Sequence, residues 1–166
     1  QVEIEHALET TNLLAMWEVR APLLVATLIA PLIRYRAMSE AELCDWFKPA
    51  TVQMAQHALR LIDDARNTSS ETITKADRID RQGKLFRQAY DDVEVVLIVA
   101  ADRLVQTMLF EKLDKAFQQA WAQDNITVFL PLLELLGLWA HRRELGNLSL
   151  AVVNPAYFKQ LQQHIA

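Results

Sequence analysis

The chain has 166 residues, enough for one domain with a sizeable core, since domains most often run roughly 100–150 residues. Its 17 lysines and arginines against 21 aspartates and glutamates give a net charge of −4, which weighs against nucleic acid as the main partner, because phosphate binding needs a concentrated basic face. Three glycines and five prolines leave few places for tight hairpins, and no run of roughly 18 or more apolar residues escapes polar interruption. The expectation is an all-α bundle with short connections and no membrane span.

The chain opens at Gln1 without a Met, and QVEIEH lacks the basic and apolar regions of a signal peptide. It therefore reads as a piece of a longer cytoplasmic protein, extended at both ends. The single Cys44 has no partner for an intrachain disulfide, in keeping with a reducing compartment. Ile4 to Val19 sets Leu8, Leu14, Ala15 and Trp17 among polar residues, the pattern of an amphipathic helix. Pro22 suits the first turn of the next helix. Leu23 to Ile33 is apolar nearly all round and should be central to the core, with Pro31 kinking or ending it.

Ser39-Glu40-Ala41-Glu42 has the form of a capping box, starting a short helix to about Phe47 that Lys48-Pro49 stops. Thr51 to Ala65 carries Val52, Ala55, Ala58, Leu59 and Ile62 at helical spacing. From Arg66 to Lys75 small hydroxyl side chains compete for the backbone and no apolar stripe survives, so this reads as the most mobile loop. Helix resumes near Ala76, with an interruption allowed at Gly83.

Asp91–Met108 is the stretch around which the rest is organised. It is almost continuously apolar from Val93 to Ala101 and then meets Asp102-Arg103, so it reads as a core segment delivering a carboxylate. Its β-branched run would suit a buried strand, but Asp91 and Asp92 are good N-cap residues and nothing else reads as a partner strand. Beyond it, Leu109 to Trp121 is amphipathic, Asp124 or Asn125 can cap a strongly apolar helix to Trp139, and Pro131 and Gly137 weaken its regularity. A further helix follows His141-Arg142-Arg143-Glu144 to about Val153, and Asn154-Pro155 starts the last one. There is no internal repeat, no low-complexity tract and no sign of a second domain.

Lys84–Leu104, KLFRQAYDDVEVVLIVAADRL, resembles the segment of the RelA/SpoT proteins that carries the last metal-binding aspartate of their N-terminal HD hydrolase domain. A second block, Thr127–Leu132 through Leu136-Gly137-Leu138-Trp139, Arg143-Glu144-Leu145 and Asn154-Pro155-Ala156-Tyr157, is similar to the segment closing that domain. The resemblance spans nearly the whole chain and implies residues 1–166 as a single HD-type helical bundle. In that family a His, an adjacent His-Asp pair and a distant Asp hold manganese, a Glu-Asp pair assists, and the metal-bound water attacks the 3′-pyrophosphate of (p)ppGpp.

Aligned on the resemblance, His6 matches the first ligand, with Ala7 where the family usually has Pro, and Asp102 matches the last. Ala30 and Pro31 stand for the central His-Asp pair, and Arg34 and Tyr35 for the two acids. A methyl group and a pyrrolidine ring donate no electron pair to a metal. An inward Arg34 would add a permanent positive charge beside the vacated metal position. Val105-Gln106 stands where the family has His-Asn, so a nucleotide-contacting position departs too. The pattern is similar to that of the synthetase-only members, whose HD domain is a relic.

Read without the family, His6 fits better as a hydrogen-bonded core or rim residue than as a ligand. Asp102-Arg103 fits an internal ion pair or a cap, and Trp17, Trp46, Trp121 and Trp139 fit core or interface anchors. The cluster His141-Arg142-Arg143 reads as a solvated helix start. The resulting expectation is a catalytically silent, regulatory pseudo-hydrolase domain with no metal or other cofactor, attached to a bacterial GTP pyrophosphokinase of the stringent response. Its expected partner is the synthetase domain of the same chain, and any ribosome contact would run through the parent protein. A homodimer stays open. The alternatives are a metal-free guanine-nucleotide site using Arg34 and Arg103, and, more remotely, residual manganese-dependent hydrolysis.

Overall fold

The apolar run from Val93 is helical, and its start is set by a cap: the Val95 N–H donates to Asp92 Oδ1 at 3.3 Å. The computed structural model describes residues 2–67, 74–110 and 114–165. Its helices are α1 (Val2–Met16), α2 (Ala21–Arg34), α3 (Glu40–Trp46), α4 (Pro49–Asn67), α5 (Lys75–Asp91), α6 (Val93–Leu109), α7 (Lys115–Asp124), α8 (Leu130–Leu135), α9 (Trp139–Val153) and α10 (Pro155–Ile165), with a π-helical turn at Asn125–Phe129. No strand occurs among the described residues, so the fold is all-α as expected. Two compact units divide the chain, residues 1–66 with 88–106, and residues 67–87 with 107–166.

In the first unit α1 packs on α2. Ala7, Thr10 and Leu14 are buried at helical spacing, and Leu23, Ala26, Thr27 and Ile29 are buried on α2. Leu28 is 43 % exposed, so α2 keeps a solvent side that its apolar sequence does not announce. Pro22 sits in the first turn as expected. Pro31 does not stop the helix at once, which runs three residues further to Arg34. The end is a Schellman motif: Arg36, at φ 52°, donates to Ile33 O and Ala37 donates to Leu32 O.

Ser39 forms the expected capping box with Glu42, and Val52, Ala55, Ala58, Leu59 and Ile62 on α4 are buried. The stretch read as a loop from Arg66 to Lys75 is partly helix. Arg66 and Asn67 complete α4, Thr74 and Asp77 cap α5 reciprocally, and residues 68–73 lie outside the described residues. On α6, Val95, Val96, Ile98 and Val99 are at most 2 % exposed, each burial worth about 1.5–3 kcal/mol.

The second unit includes the part of α5 up to Arg87, and α5 runs through Gly83 without a break. Leu109 closes α6 rather than opening α7. Asp114 starts α7, its side chain accepting from the Phe117 N–H at 2.9 Å. Neither Asp124 nor Asn125 caps a helix. Both have helical backbone and point inward, Asp124 to Arg81 at 2.8 Å, and Asn125 to Thr107 Oγ1 at 3.2 Å and Ser149 Oγ at 3.1 Å. The wide turn that holds them closes with the Leu130 N–H on Asn125 O. Pro131 follows directly, and its ring cannot accept the carbonyl approach of a regular α-turn, which gives a physical reason for the wider winding there. Gly137, at φ 73°, ends α8, with Leu138 donating to Leu133 O. Arg142 and Arg143 belong to α9, which begins at Trp139, and Asn154 caps α10 through the Tyr157 N–H at 3.1 Å. Trp121 is 1 % exposed, whereas Trp46 and Trp139 are 78 % and 59 % exposed, so only the first is a core anchor.

Candidate functional site

The inner face of α1 and the buried length of α6 bring His6 and Asp102 together across 96 positions of sequence. His6 Nε2 lies 2.7 Å from Asp102 Oδ1. The same oxygen accepts from Arg66 Nη2 at 3.0 Å, and Arg66 Nη1 is 3.9 Å from Glu3 Oε1. These groups line a cavity of about 40 Å³ whose walls include Ala30, Pro31 and Arg34. All of it lies in the first unit.

Burial pushes the Asp102 carboxyl up. The hydrogen bond with His6 and the positive charges of Arg66 and, further off, Arg34 outweigh that effect and hold it below the usual carboxylate value. Asp102 is therefore an ion already satisfied by protein groups. Its expected pairing with Arg103 does not form. Neighbours on a helix do not face one another, and the carboxylate turns to His6 and Arg66 instead.

Ala30 and Pro31 sit on α2 at the cavity wall, where they present carbon. Arg34 also reaches the wall, but its Nη2 donates to Asp63 Oδ1 at 2.7 Å, so the direct counter-ion of Asp102 is Arg66. Tyr35 is the C-cap of α2, 60 % exposed and outside the cavity lining. Gln106, one turn beyond Asp102, is half-buried and also outside the lining. Arg103 is 2 % exposed, so a phosphate could reach it only by opening the core.

Arg66 was hidden by the hydroxyl-rich sequence that follows it. A signal did exist: Ala55, Leu59 and Ile62 step at intervals of four and three along α4, and the next step on that face is residue 66. The residues present do not fit a hydrolytic metal. Of the four positions that the sequence resemblance assigns to ligands, His6 and Asp102 carry donors, Ala30 and Pro31 offer carbon, and the guanidinium groups of Arg34 and Arg66 line the same cavity. Among the described residues no three His, Cys, Asp or Glu side chains converge as a metal-holding group.

A family model described as an HD domain matches residues 2–139. The chain belongs to the HD-domain family. Among its relatives, a probable chloroplastic GTP diphosphokinase of Oryza sativa subsp. japonica is 29 % identical over 98 % of the chain and 23 % of its own length. The guanosine-3′,5′-bis(diphosphate) 3′-pyrophosphohydrolase of Spiroplasma citri is 23 % identical over 95 % of the chain and 20 % of its own length. A second probable diphosphokinase of that rice is 26 % identical over 98 % of the chain.

This HD domain thus has relatives named as GTP diphosphokinases and as a guanosine-3′,5′-bis(diphosphate) 3′-pyrophosphohydrolase, consistent with the RelA/SpoT family. It spans less than a quarter of the length of those relatives. Two of the three are named as chloroplast proteins, so the relatives do not single out a bacterial cytoplasm. No helix among the described residues is long and apolar enough to cross a membrane.

Proposed function

We propose that this chain is a catalytically silent HD domain of a longer RelA/SpoT-like protein, and that it regulates the GTP diphosphokinase activity of that protein. The observation that carries the reading is the closure of the relic centre: Asp102 is bonded by His6 and Arg66, beside a wall where Ala30 and Pro31 replace donors. A metallohydrolase needs an ion whose bound water is made nucleophilic. Here a fixed organic cation occupies the corresponding electrostatic role, and a guanidinium is no Lewis acid that could make a water nucleophilic.

Surface composition supports docking as the remaining task. On α1, Ile4 and Leu8 are 60 % and 49 % exposed one turn apart, and Tyr35, Trp46 and Trp139 are also largely exposed. Large exposed aromatic and aliphatic groups are what partner surfaces use. A coupling of about 1–3 kcal/mol between docked and undocked arrangements would be typical of such regulation. The metal-free nucleotide alternative has the volume against it, because about 40 Å³ compares with roughly 300–1,000 Å³ for ordinary ligand sites.

The test is the parent protein with and without these residues. Basal or stimulated synthesis of the guanosine tetraphosphate should change on deletion. Identical rates in both conditions refute the proposal.

A further inference from the structure

We infer that a cleft in the second unit, lined by Arg78, Gln119 and Gln123, binds a small molecule through an oxyanion, a phosphate or a carboxylate group. The cleft measures about 330 Å³, within the roughly 300–1,000 Å³ of ordinary ligand sites, and its lining residues all lie in that unit. It shares no residue with the cavity beside His6 and Asp102, so the inference stands apart from the regulatory reading above.

One face of α7 builds the cleft. Trp121, Ala122 and Asp124 form the buried side of that helix, whereas Ala116, Gln119, Ala120 and Gln123 recur at intervals of three and four and line the cleft. The methyl groups of Ala116 and Ala120 leave space that longer side chains would fill. Gln119 and Gln123, one turn apart, bring carboxamides to it, and Val153, the last residue of α9, adds an apolar wall.

Arg78, in the first turn of α5, supplies the charge. Its side chain is 15 % exposed, and its Nε lies 3.9 Å from Asp124 Oδ1, an oxygen that accepts a hydrogen bond from Arg81 Nη1 at 2.8 Å. One buried carboxylate oxygen thus faces both guanidinium groups and sits nearer to Arg81. Asp77, the residue before Arg78, accepts from the Thr74 N–H and hydroxyl in its cap. Among the described residues that line the cleft none is acidic. A guanidinium presents its N–H donors in a planar fork matched to carboxylate and phosphate oxygens, and carboxamide groups donate as well. A cationic lining with further neutral donors suits an oxyanion better than a cation or a purely apolar ligand.

The experiment records side-chain N–H signals of the isotope-labelled chain by NMR during separate titrations with inorganic phosphate and with acetate, at an ionic strength held constant by chloride. Wild type should show saturable shifts at Arg78, Gln119 and Gln123 with at least one probe, and the probe bound more tightly names the group. Ala116→Leu fills the cleft and leaves every donor in place, so it should weaken binding about tenfold. Arg78→Gln should abolish binding while the helical circular dichroism signal is retained; if that variant does not fold, Ala116→Leu decides. Shifts that grow without saturating, or that match between wild type and Ala116→Leu, would mark an ordinary salt response of the surface and overturn the inference.

Discussion

Each unit of the chain buries a polar cluster, and the two clusters are built differently. In the first unit His6, Asp102 and Arg66 meet at one carboxylate oxygen beside a small cavity. In the second, Trp121 Nε1 donates to Thr107 Oγ1 at 2.9 Å, Asn125 bridges Thr107 and Ser149, and Asp124 receives Arg81, all at or beside a π-helical turn. The second cluster ties helices to one another and has no family chemistry to explain it. The first holds His6 and Asp102, the two residues that the sequence resemblance aligned with metal ligands, and they are bonded to one another and to Arg66. A buried polar cluster is therefore not by itself a reactive centre; what separates the two is whether the missing partners can be named.

The largest expected effect lies in the architectural cluster. Asp124 is 1 % exposed and faces Arg81, so Asp124→Ala leaves a buried guanidinium without its counter-charge and should cost about 3–5 kcal/mol in urea unfolding. A loss under about 1 kcal/mol would mean that water reaches Arg81 and that the two clusters are more alike than the burial implies.

Asp102→Asn should cost less, about 1.5–3 kcal/mol, the scale of hydrogen bonds to charged groups. It should also change the pH dependence. Because the folded carboxyl is held below its ordinary value, Asp102 stabilises the fold above the unfolded value of about 4. That contribution disappears as pH falls through the folded value, because the proton then binds both states alike. The gap between wild type and Asp102→Asn in urea midpoints should therefore be constant near neutrality and close below about pH 4. A gap that persists unchanged as the pH falls well below about 4 would show that the charge contributes nothing.

The smallest effect concerns helix ends. The first unit stops α2 with Arg36 at φ 52°, and the second stops α8 with Gly137 at φ 73°, by the same pair of backbone bonds. A side chain in that left-handed region costs energy that glycine avoids. Arg36→Gly should therefore stabilise the chain by about 1 kcal/mol, read as a raised thermal midpoint. A drop would mean that the Arg36 side chain contributes more than its backbone strain removes.

These contrasts also show what the sequence disclosed. His6, Ala30, Pro31 and Asp102 could be placed because motif residues keep their order and spacing, and the caps at Ser39, Asp92 and Asn154 because their side-chain chemistry is local. Arg66 could not be placed with them, because the polar run that follows hides the last turn of α4. Asp124 and Asn125 look like caps by residue type, and only the widened turn ahead of Pro131 directs them inward. Helix ends at Glu18 and Arg36 carry no glycine to announce them.

We propose that this HD domain lacks a hydrolytic centre. The direct measurement is pyrophosphate release from guanosine-3′,5′-bis(diphosphate) by the purified chain in Mn²⁺ and in EDTA. Release should match the protein-free background in both. Mn²⁺-dependent release that His6→Ala abolishes would contradict the account.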